Sequence, residues 1–461
     1  MIDAPRSVAE PDATRRIVDF AVSFPATELP QDVVRNARTQ LLDGIAVALA
    51  AVDAEGIPAL RAAAVEWAGA PQAGIIGSAL RVPAPTAAMV NGAMMHALDF
   101  DDTHAAAYIH PGTVIIPAGL AAAERAGNVS GTELLAAIAI NSEVMTRIGL
   151  AFPGGSKSTC GWHFTPLLGH LAAALTAARI AKLSVDRAID ALGIAYHQAA
   201  GNMQGLVDGG LTKRVGPGFA AQHGLIAMLL AEAGVTGAKY ALEGRFGLFR
   251  QYGGADGDQR VLLDGLGTRF ESRAIFVKPY PCCALVHPFI DAALTIARST
   301  TVAVDEIAAI HIRCGPGTDL VCQPAQSKQK PRTIVDAQFS ACWGVAAALA
   351  RGSVSTDLYT MQALQAADLR HLSAMVVTEV DARLSRNHGI ERTELTLTMR
   401  DGRVLRSATH QAPGEAPQPF DLAVNKLRGR PAAADIIEAI ARLEYQPDLK
   451  QLASALFRAK P

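Results

Sequence analysis

The residues best suited to chemistry in this sequence are concentrated between Asn91 and Thr113. This stretch, NGAMMHALDFDDTHAAAYIHPGT, contains three histidines and three aspartates, namely His96, His104, His110, Asp99, Asp101 and Asp102. Apolar, alanine-rich segments flank it on both sides. Burying charged groups costs free energy unless they are paired or used in function. The density of titratable groups between two apolar segments therefore indicates a functional site.

Two kinds of chemistry fit these residue types. The helical Mg²⁺ sites of terpene and prenyl synthases need a D-D-x-x-D pattern or a second ligand set at fixed spacing. Here Asp101–Asp102 is followed by Thr103, His104 and Ala105, so we predict no metal. The second kind is proton transfer. His96 and Asp99 are three residues apart and would share one face of a helix, where a carboxylate orients an imidazole.

Further polar groups stand out against the apolar chain, in segments expected to be loops, which often carry function. They are His163 in CGWHFTP, Lys213 and Arg214 in GGLTKRVGPG, Lys278 and His287 around KPYPCCALVH, and Lys328, Lys330 and Arg332 in SKQKPRT. The last group is expected to be a solvated loop. An isolated histidine is usually a hydrogen-bonded structural residue. We assign that role to His170, His197, His223, His311, His371, His388 and His410.

The composition limits the classes of partner. Formal net charge is -1, which gives no bulk attraction to nucleic acid or to an anionic membrane. Any anionic ligand must then be held by a local cluster of cations. The longest apolar runs are shorter than the ~20 residues that a membrane helix needs. The six cysteines form no C-x-x-C pair, and no secretory signal is visible, which predicts reduced thiols in a cytoplasmic protein.

Hydrophobic residues make up 50% of the chain and aromatic residues only 5%, which favours closely packed, alanine-rich helices. Helical periodicity continues to about residue 235, with breaks such as Gly216–Gly218. Strand-like alternation is confined to residues 306–409, so we predict no sheet in the first 270 residues. Asp401–Gly402 predicts a type I′ hairpin turn. We predict an all-helical domain over 1–275, completed by 421–461, and an α+β lid domain over 276–420.

Several of these motifs together resemble the MmgE/PrpD family. They are HALDFDDTH…HPG, GWH, TKR…GPGFAAQHG, ALEGRFG and KPYPCCALVHPFIDAA, and they keep the family's order between about residues 35 and 420. The family includes 2-methylcitrate dehydratases, cis-aconitate decarboxylases and iminodisuccinate epimerases. The resemblance implies a large helical domain with an inserted α+β lid domain and a homodimer without a cofactor.

Carried over by motif, the resemblance implies a catalytic set at the junction of the two domains. Its members are Asp99, His110, His163, Lys213 and His287, and Lys278 of the KPYP motif is expected to bind substrate. Arg214 is a further expected substrate-binding residue, because it is a cation that can hold charge developing on a carboxylate. One position departs from the family pattern, because Phe339 stands where the decarboxylases have a tyrosine. The first motif also differs from that of the true 2-methylcitrate dehydratases.

The family reactions all break a bond next to a carboxylate, where charge develops that cations must hold. We therefore expect a cofactor-independent lyase of the dehydratase type, acting on a small di- or tricarboxylate through histidine-mediated proton transfer. A decarboxylase and an epimerase are alternatives of the same chemistry. A catalytically silent helical binding protein is an alternative of another class.

Overall fold

The computed structural model of the chain describes residues 12–67, 69–153, 161–299, 303–385, 390–409, 420–430 and 432–458. Most of the described chain before residue 275 is helical. The helices there are α1 (Ala13–Ser23), α2 (Gln31–Ala50), α3 (Ile57–Glu66), α4 (Ala84–His96), α5 (Gly112–Ala126), α6 (Gly131–Leu150), α7 (Phe164–Ile180), α8 (Val185–Gln198), α9 (Gln204–Val207), α10 (Thr212–Glu232), α11 (Leu248–Gly253) and α12 (Gln259–Leu263).

The α+β part follows. Its helices are α13 (His287–Ser299), α14 (Asp319–Cys322), α15 (Ala325–Gln329), α16 (Ile334–Gln338), α17 (Ala341–Arg351), α18 (Met361–Leu364) and α19 (Ala367–Met375). Its strands are β5 (Ile307–Cys314), β6 (Val376–Val380), β7 (Thr393–Met399) and β8 (Val404–Thr409). They form one sheet in the order β6-β5-β7-β8, in which only the β5–β6 pair is parallel. The fold class predicted from the sequence is confirmed.

The chain then returns to helices α20 (Phe420–Lys426), α21 (Ala433–Ala441) and α22 (Lys450–Leu456). Their buried residues, such as Ala423, Ile436 and Leu452, belong to the same apolar core as residues of α1 to α8 and of α10 to α12. A separate core is formed by residues between Phe276 and Met399. These two cores support a domain division at 275/276 and 420/421, which we keep as a proposal.

Two details of the prediction are wrong. Short antiparallel pairs occur before residue 306, between β1 (Ala73–Gly74) and β2 (Arg81–Val82) and between β3 (Thr103–His104) and β4 (Ile275–Phe276). Two-residue pairings leave too little alternation to be seen in a sequence. The β7–β8 turn is also not type I′, because that type needs positive φ at both central residues, and of Asp401 and Gly402 only the glycine has it.

The predicted break at Gly216–Gly218 is wrong as well, since α10 runs through it with Pro217 inside the helix. The glycines there serve packing. A Cβ on Gly218 would lie 2.3 Å from the carbonyl oxygen of Met89, and a Cβ on Gly92 would lie 3.0 Å from Gly218 Cα. Helices α4 and α10 therefore cross in close contact. This contact brings the first turn of α10 to the end of α4.

Candidate active site

The segment between α4 and α5 forms the centre of the site. Helix α4 ends at His96, and Asp99 has a left-handed backbone with φ of 52°. Strand β3 then pairs with β4, with Thr103 opposite Phe276. This pairing places Lys278, two residues beyond β4, next to the aspartates of the segment. Residues about 180 positions apart in the sequence (99 and 278) thereby meet in one buried cluster.

Asp99 is held between two lysines. Its carboxylate accepts hydrogen bonds from Lys213 and from Lys278, and the Lys278 Nζ–Asp99 Oδ1 distance is 3.0 Å. Lys278 also donates to the Asp99 carbonyl oxygen at 2.9 Å. Burial alone would raise the pKa of Asp99, but the two ammonium groups outweigh it and hold that pKa well below its ordinary value. Asp99 is therefore ionised at neutral pH and is a poor base.

Asp101 orients two of the histidines. Its Oδ2 lies 2.8 Å from His96 Nδ1 and 3.3 Å from His110 Nδ1. His110 Nδ1 is also 2.9 Å from the carbonyl oxygen of Asp102, which can only accept, so Nδ1 carries the proton. A carboxylate likewise only accepts, which places the His96 proton on Nδ1. Each ring therefore keeps an unprotonated Nε2, and no described residue hydrogen-bonds to it.

The two Asp101-bound histidines are neutral. Burial lowers the pKa of His110 to about 3, although Asp101 opposes the shift. Burial, followed by the positive charge of Lys213, lowers the pKa of His96. A neutral imidazole with one N–H committed to a protein acceptor presents its other nitrogen as a base.

His163 completes the histidine cluster from another element. It immediately precedes α7, and its ring lies 5.8 Å from that of His96, which in turn lies 5.3 Å from that of His110. Burial, and then the charge of Lys213, hold the pKa of His163 well below its ordinary value. Three neutral imidazoles thus lie beside the lysine-bound carboxylate.

His287 lies across the junction with the α+β part, as the first residue of α13. Its Nε2 is 3.3 Å from the carbonyl oxygen of Cys282 and must donate to it, while its buried Nδ1 has no hydrogen-bond partner among the described residues. The Tyr280 ring meets it edge-on at 5.3 Å. Burial, and then the charge of Lys278, lower the pKa of His287 to about 3. It is a fourth imidazole with a free basic nitrogen.

The structure therefore brings six of the seven predicted site residues to one region. Asp99, Lys213 and Lys278 are in direct contact, and His110 and His163 lie beside them. His287 is linked to them through the charge of Lys278. The seventh, Arg214, is buried and donates to the carbonyl oxygen of Glu55 at 2.9 Å; it interacts with the charge of Asp99 but has no described hydrogen bond to the cluster. Its role in binding substrate stays a prediction.

Sequence reasoning misplaced or missed several contacts. The prediction that His96 and Asp99 share a helical face is wrong, because α4 ends at His96 and the partner of His96 is Asp101. His96 itself lies at the centre of the cluster, and its i, i+5 spacing to Asp101 gave no helical signal. Lys213 lies in the first turn of α10, where a loop was predicted.

Among the remaining groups, His104 is structural. It accepts from Ala107 N–H at Nδ1 and contacts the carbonyl oxygen of Glu271 through Nε2, which satisfies both ring nitrogens.

Lys328 is only partly exposed, and burial lowers its pKa. His388 and His410 lie outside the described residues. Within the described part of the chain, no group of three or more His, Cys, Asp or Glu side chains is arranged to hold a metal ion.

Comparison with known proteins decides the family. The model of the MmgE/PrpD N-terminal domain matches residues 15–260, and that of the C-terminal domain matches residues 280–428. The chain belongs to the MmgE/PrpD family. The two matches fall on the helical part and on the α+β part of the fold.

Curated relatives point the same way. The chain is 30% identical to a cis-aconitate decarboxylase-like protein of Aspergillus oryzae, over 78% of the chain and 77% of the relative. It is 32% identical to a cis-aconitate decarboxylase of Aspergillus terreus, over 62% and 60% of the two chains. The human cis-aconitate decarboxylase is 28% identical, over 70% and 67%. The chain is an enzyme of the MmgE/PrpD type.

Proposed function

We propose that this protein is a cofactor-independent lyase that acts on a small di- or tricarboxylate. The observation that carries the proposal is the pairing of two buried lysines with one carboxylate, Asp99, beside imidazoles whose second nitrogens have no protein partner among the described residues. Cations in a buried site can stabilise charge as it develops on a substrate carboxylate. Free imidazole nitrogens can move the proton.

Lys213 is the better substrate anchor of the two lysines. An ammonium group has three N–H donors. Lys278 uses its donors on the carbonyl and carboxylate oxygens of Asp99, whereas Lys213 contacts only the carboxylate of Asp99 among the described hydrogen-bond acceptors. Lys213 also lies 4.9 Å from the centre of the Phe339 ring, an apolar neighbour that strengthens charge interactions by excluding water.

Substrate binding would change the charge state of the histidines. In the free site Asp99 and Asp101 balance Lys213 and Lys278, and the histidines are neutral. A bound polycarboxylate adds negative charge, which raises the pKa of nearby imidazoles. One histidine can then act as acid while another stays a base. Dehydration needs both, because a proton leaves carbon and another joins the departing hydroxyl.

The positions of the histidines suit two-sided proton transfer. His110 and His163 belong to the helical part, and His287 begins the first helix of the α+β part. A substrate anchored at Lys213, at the junction, would have imidazoles on both sides. The dehydratase reaction is therefore our first choice, with Asp99 as an orienting group.

A decarboxylase is the second candidate, because the named relatives are cis-aconitate decarboxylases. Phe339 in place of the expected tyrosine removes one hydroxyl from the site. An epimerase would use the same proton transfer, and a catalytically silent binding protein would show none. Incubating the protein with citrate-like, aconitate-like and aminodicarboxylate compounds and following products by NMR separates all four. If no compound changes and none binds, the proposal fails.

The proposal extends to the state of the protein. We expect a homodimer, as the family resemblance implies, and a cytoplasmic location, as the cysteine pattern predicts. The five described cysteines form no disulfide, which fits a reducing compartment. No described helix is long and apolar enough to cross a membrane. Light scattering after size-exclusion chromatography should give twice the chain mass, and a monomer at micromolar concentration would contradict the dimer.

A further inference from the structure

A cavity of about 240 Å³ adjoins the candidate active site. His163 and Lys213, which belong to the site cluster, also line this cavity. The rest of its wall comes from α7, α8, α10 and the connection between α8 and α10, and includes His170, Gln198, Asn202, Thr212 and His223. A water molecule occupies about 30 Å³ in the liquid, so there is room for a carboxylate on a short arm.

The hydrogen bonds of two histidines determine what the cavity wall offers. His170 Nδ1 lies 2.6 Å from the carbonyl oxygen of Pro166 and must donate to it, so His170 Nε2 is an acceptor. His223 Nδ1, 3.3 Å from that Nε2, is then the donor. This chain leaves His223 Nε2 with no described hydrogen-bond partner. His223 can therefore take up a proton there without breaking a contact, and as a cation it would donate more strongly to His170.

The wall has the character of an anion site. Its titratable groups among the described residues are Lys213 and the three histidines His163, His170 and His223, and no carboxylate lines it. Asn202 Oδ1 accepts from Gln204 N–H, which leaves the side-chain NH₂ of Asn202 without a described acceptor. Phe219 stacks on His223 with an interplanar angle of 15° and holds the ring in place.

We propose that this cavity is a carboxylate subsite for the arm of the substrate farthest from Asp99, with His223 as its cationic group. The inference rests on the proposed function, because it assumes a polycarboxylate held at Lys213. A carboxylate subsite in this cavity would favour substrates that carry a third carboxylate, remote from the one held at Lys213. A dicarboxylate would fill the region around Lys213 and leave the His223 cavity to water.

Two unreactive probes test the subsite by isothermal titration calorimetry: succinate, with two carboxylates, and tricarballylate, with three. Burial lowers the pKa of His223 in the empty cavity, so the ring should take up its proton together with the third carboxylate, whose negative charge raises that pKa. At about pH 6, His223→Ala should therefore weaken tricarballylate binding at least about tenfold and succinate binding less than about twofold. His197→Ala is the matched control, because His197 is exposed on α8 and does not line the cavity. It should change neither affinity.

A second variant guards against misfolding of the first. Gly216 lines the cavity within α10, and a Cβ there would meet Pro166 Cγ at an ordinary 3.6 Å. Gly216→Ala should keep the fold, since alanine favours a helix. Its methyl group should occupy space in the cavity and so weaken the binding of tricarballylate more than that of succinate.

In the wild type, tricarballylate affinity should fall more steeply than succinate affinity between about pH 6 and pH 8, and His223→Ala should remove the difference.

The outcomes separate this inference from the proposed function. If Lys213→Met weakens both probes but neither His223→Ala nor Gly216→Ala discriminates between them, the proposed function stands and the subsite is refuted. Inorganic phosphate that binds through His223 without displacing tricarballylate would mean a separate anion site, which also overturns the proposal. If the wild type binds neither probe, both fail.

Discussion

Replacing Lys213 with methionine removes one positive charge from the site and keeps an unbranched apolar side chain that is one heavy atom shorter. Lys213 is buried, and its ammonium contacts the Asp99 carboxylate and the Phe339 ring. In the variant, Asp99 still has Lys278 at 3.0 Å. The carboxylate is therefore not left without a cation, and the protein should fold.

The expected loss in activity follows from the contact that is removed. A buried, charge-assisted contact to a substrate carboxylate contributes about 2–4 kcal/mol to the transition state. At 1.36 kcal/mol per factor of ten, kcat/KM should fall by roughly 30- to 1000-fold. Unfolding free energy should fall by only about 1–3 kcal/mol, because one of the two hydrogen-bonded cations on Asp99 is kept. Lys278→Met should be the more destabilising change, since it also removes the donor to the Asp99 carbonyl oxygen.

The assay is turnover of whichever carboxylate the NMR panel identifies, together with its affinity by calorimetry and the stability by urea unfolding. Lys450→Met is the matched control, because its side chain is 85% exposed and far from the site in the chain. It removes the same charge and should leave all three quantities unchanged. If Lys213→Met keeps wild-type kcat/KM while folding normally, Lys213 does not hold the substrate, and the reasoning from the Asp99 cluster is wrong.

Three further results are expected. In D₂O with a bound substrate, His110→Gln or His287→Gln should abolish deuterium incorporation at the carbon next to the carboxylate and leave substrate affinity within about tenfold, or ~1.4 kcal/mol. His371→Gln is the control, and unchanged exchange in both site variants would refute proton transfer by these histidines. Because burial lowers the pKa of His110 and His287 to about 3, the free energy of unfolding should fall as pH drops below about 6.5, by up to about 1.4 kcal/mol per pH unit for each histidine. Urea unfolding at several pH values should show a shallower fall for the double variant His110→Gln/His287→Gln, and an equally steep fall would contradict the assignment. Lys426→Met, which removes the ion-pair partner of buried Asp43, should lower the free energy of unfolding by about 3–5 kcal/mol. Arg458→Met, at the exposed pair with Asp435, should change it by less than about 1 kcal/mol, and equal effects of the two variants in urea unfolding would show that the buried pair adds nothing.

The α+β part of the fold could be predicted because its pattern is local. Leu395, Leu397 and Met399 alternate with polar residues, and in the structure all three are buried on one face of β7. The hairpin partner follows directly in sequence. Pairings of two residues, such as Thr103–His104 with Ile275–Phe276, depend on tertiary contacts between distant segments. No periodicity reveals them, which is why the structure has strands where none was expected.

The proximity of the candidate site residues could be predicted, but their pairing could not, and their catalytic role stays a proposal. The motif positions for Asp99, His110, His163 and Lys213 meet in space, as the family resemblance implied. The contact between His96 and Asp101 was not predictable, because it requires the chain to leave the helix at His96 and turn through a left-handed Asp99. Helical spacing rules apply only while the helix continues.

The roles of the two aspartates follow from this turn. The left-handed Asp99 points its carboxylate to the lysines of α10 and of the segment after β4, while Asp101 turns to the histidines. Lys278 Nζ also lies 3.8 Å from Asp101 Oδ1, but the hydrogen bonds of both ammonium groups go to Asp99, which leaves Asp101 Oδ2 to the two histidines. Under the proposed function, the imidazoles stay neutral and oriented in the free site, and the charge of the bound substrate would raise their pKa.

Exchanging each aspartate in turn tests this division of roles. Asp99→Gly keeps a residue that tolerates the left-handed turn but removes the carboxylate, so Lys213 should lose its hydrogen-bond partner and Lys278 should keep only the carbonyl oxygen of residue 99. The pKa of Lys278, which the Asp99 carboxylate raises, should then fall. Asp101→Asn should instead disturb the protonation of His96 and His110 and leave the two lysines on Asp99. Nitrogen-15 NMR of the imidazole and ammonium groups reports both changes. If His96 and His110 lose the Nδ1–H form in Asp99→Gly but keep it in Asp101→Asn, Asp101 is not the carboxylate that orients the histidines, and the assignment of the two aspartates is wrong.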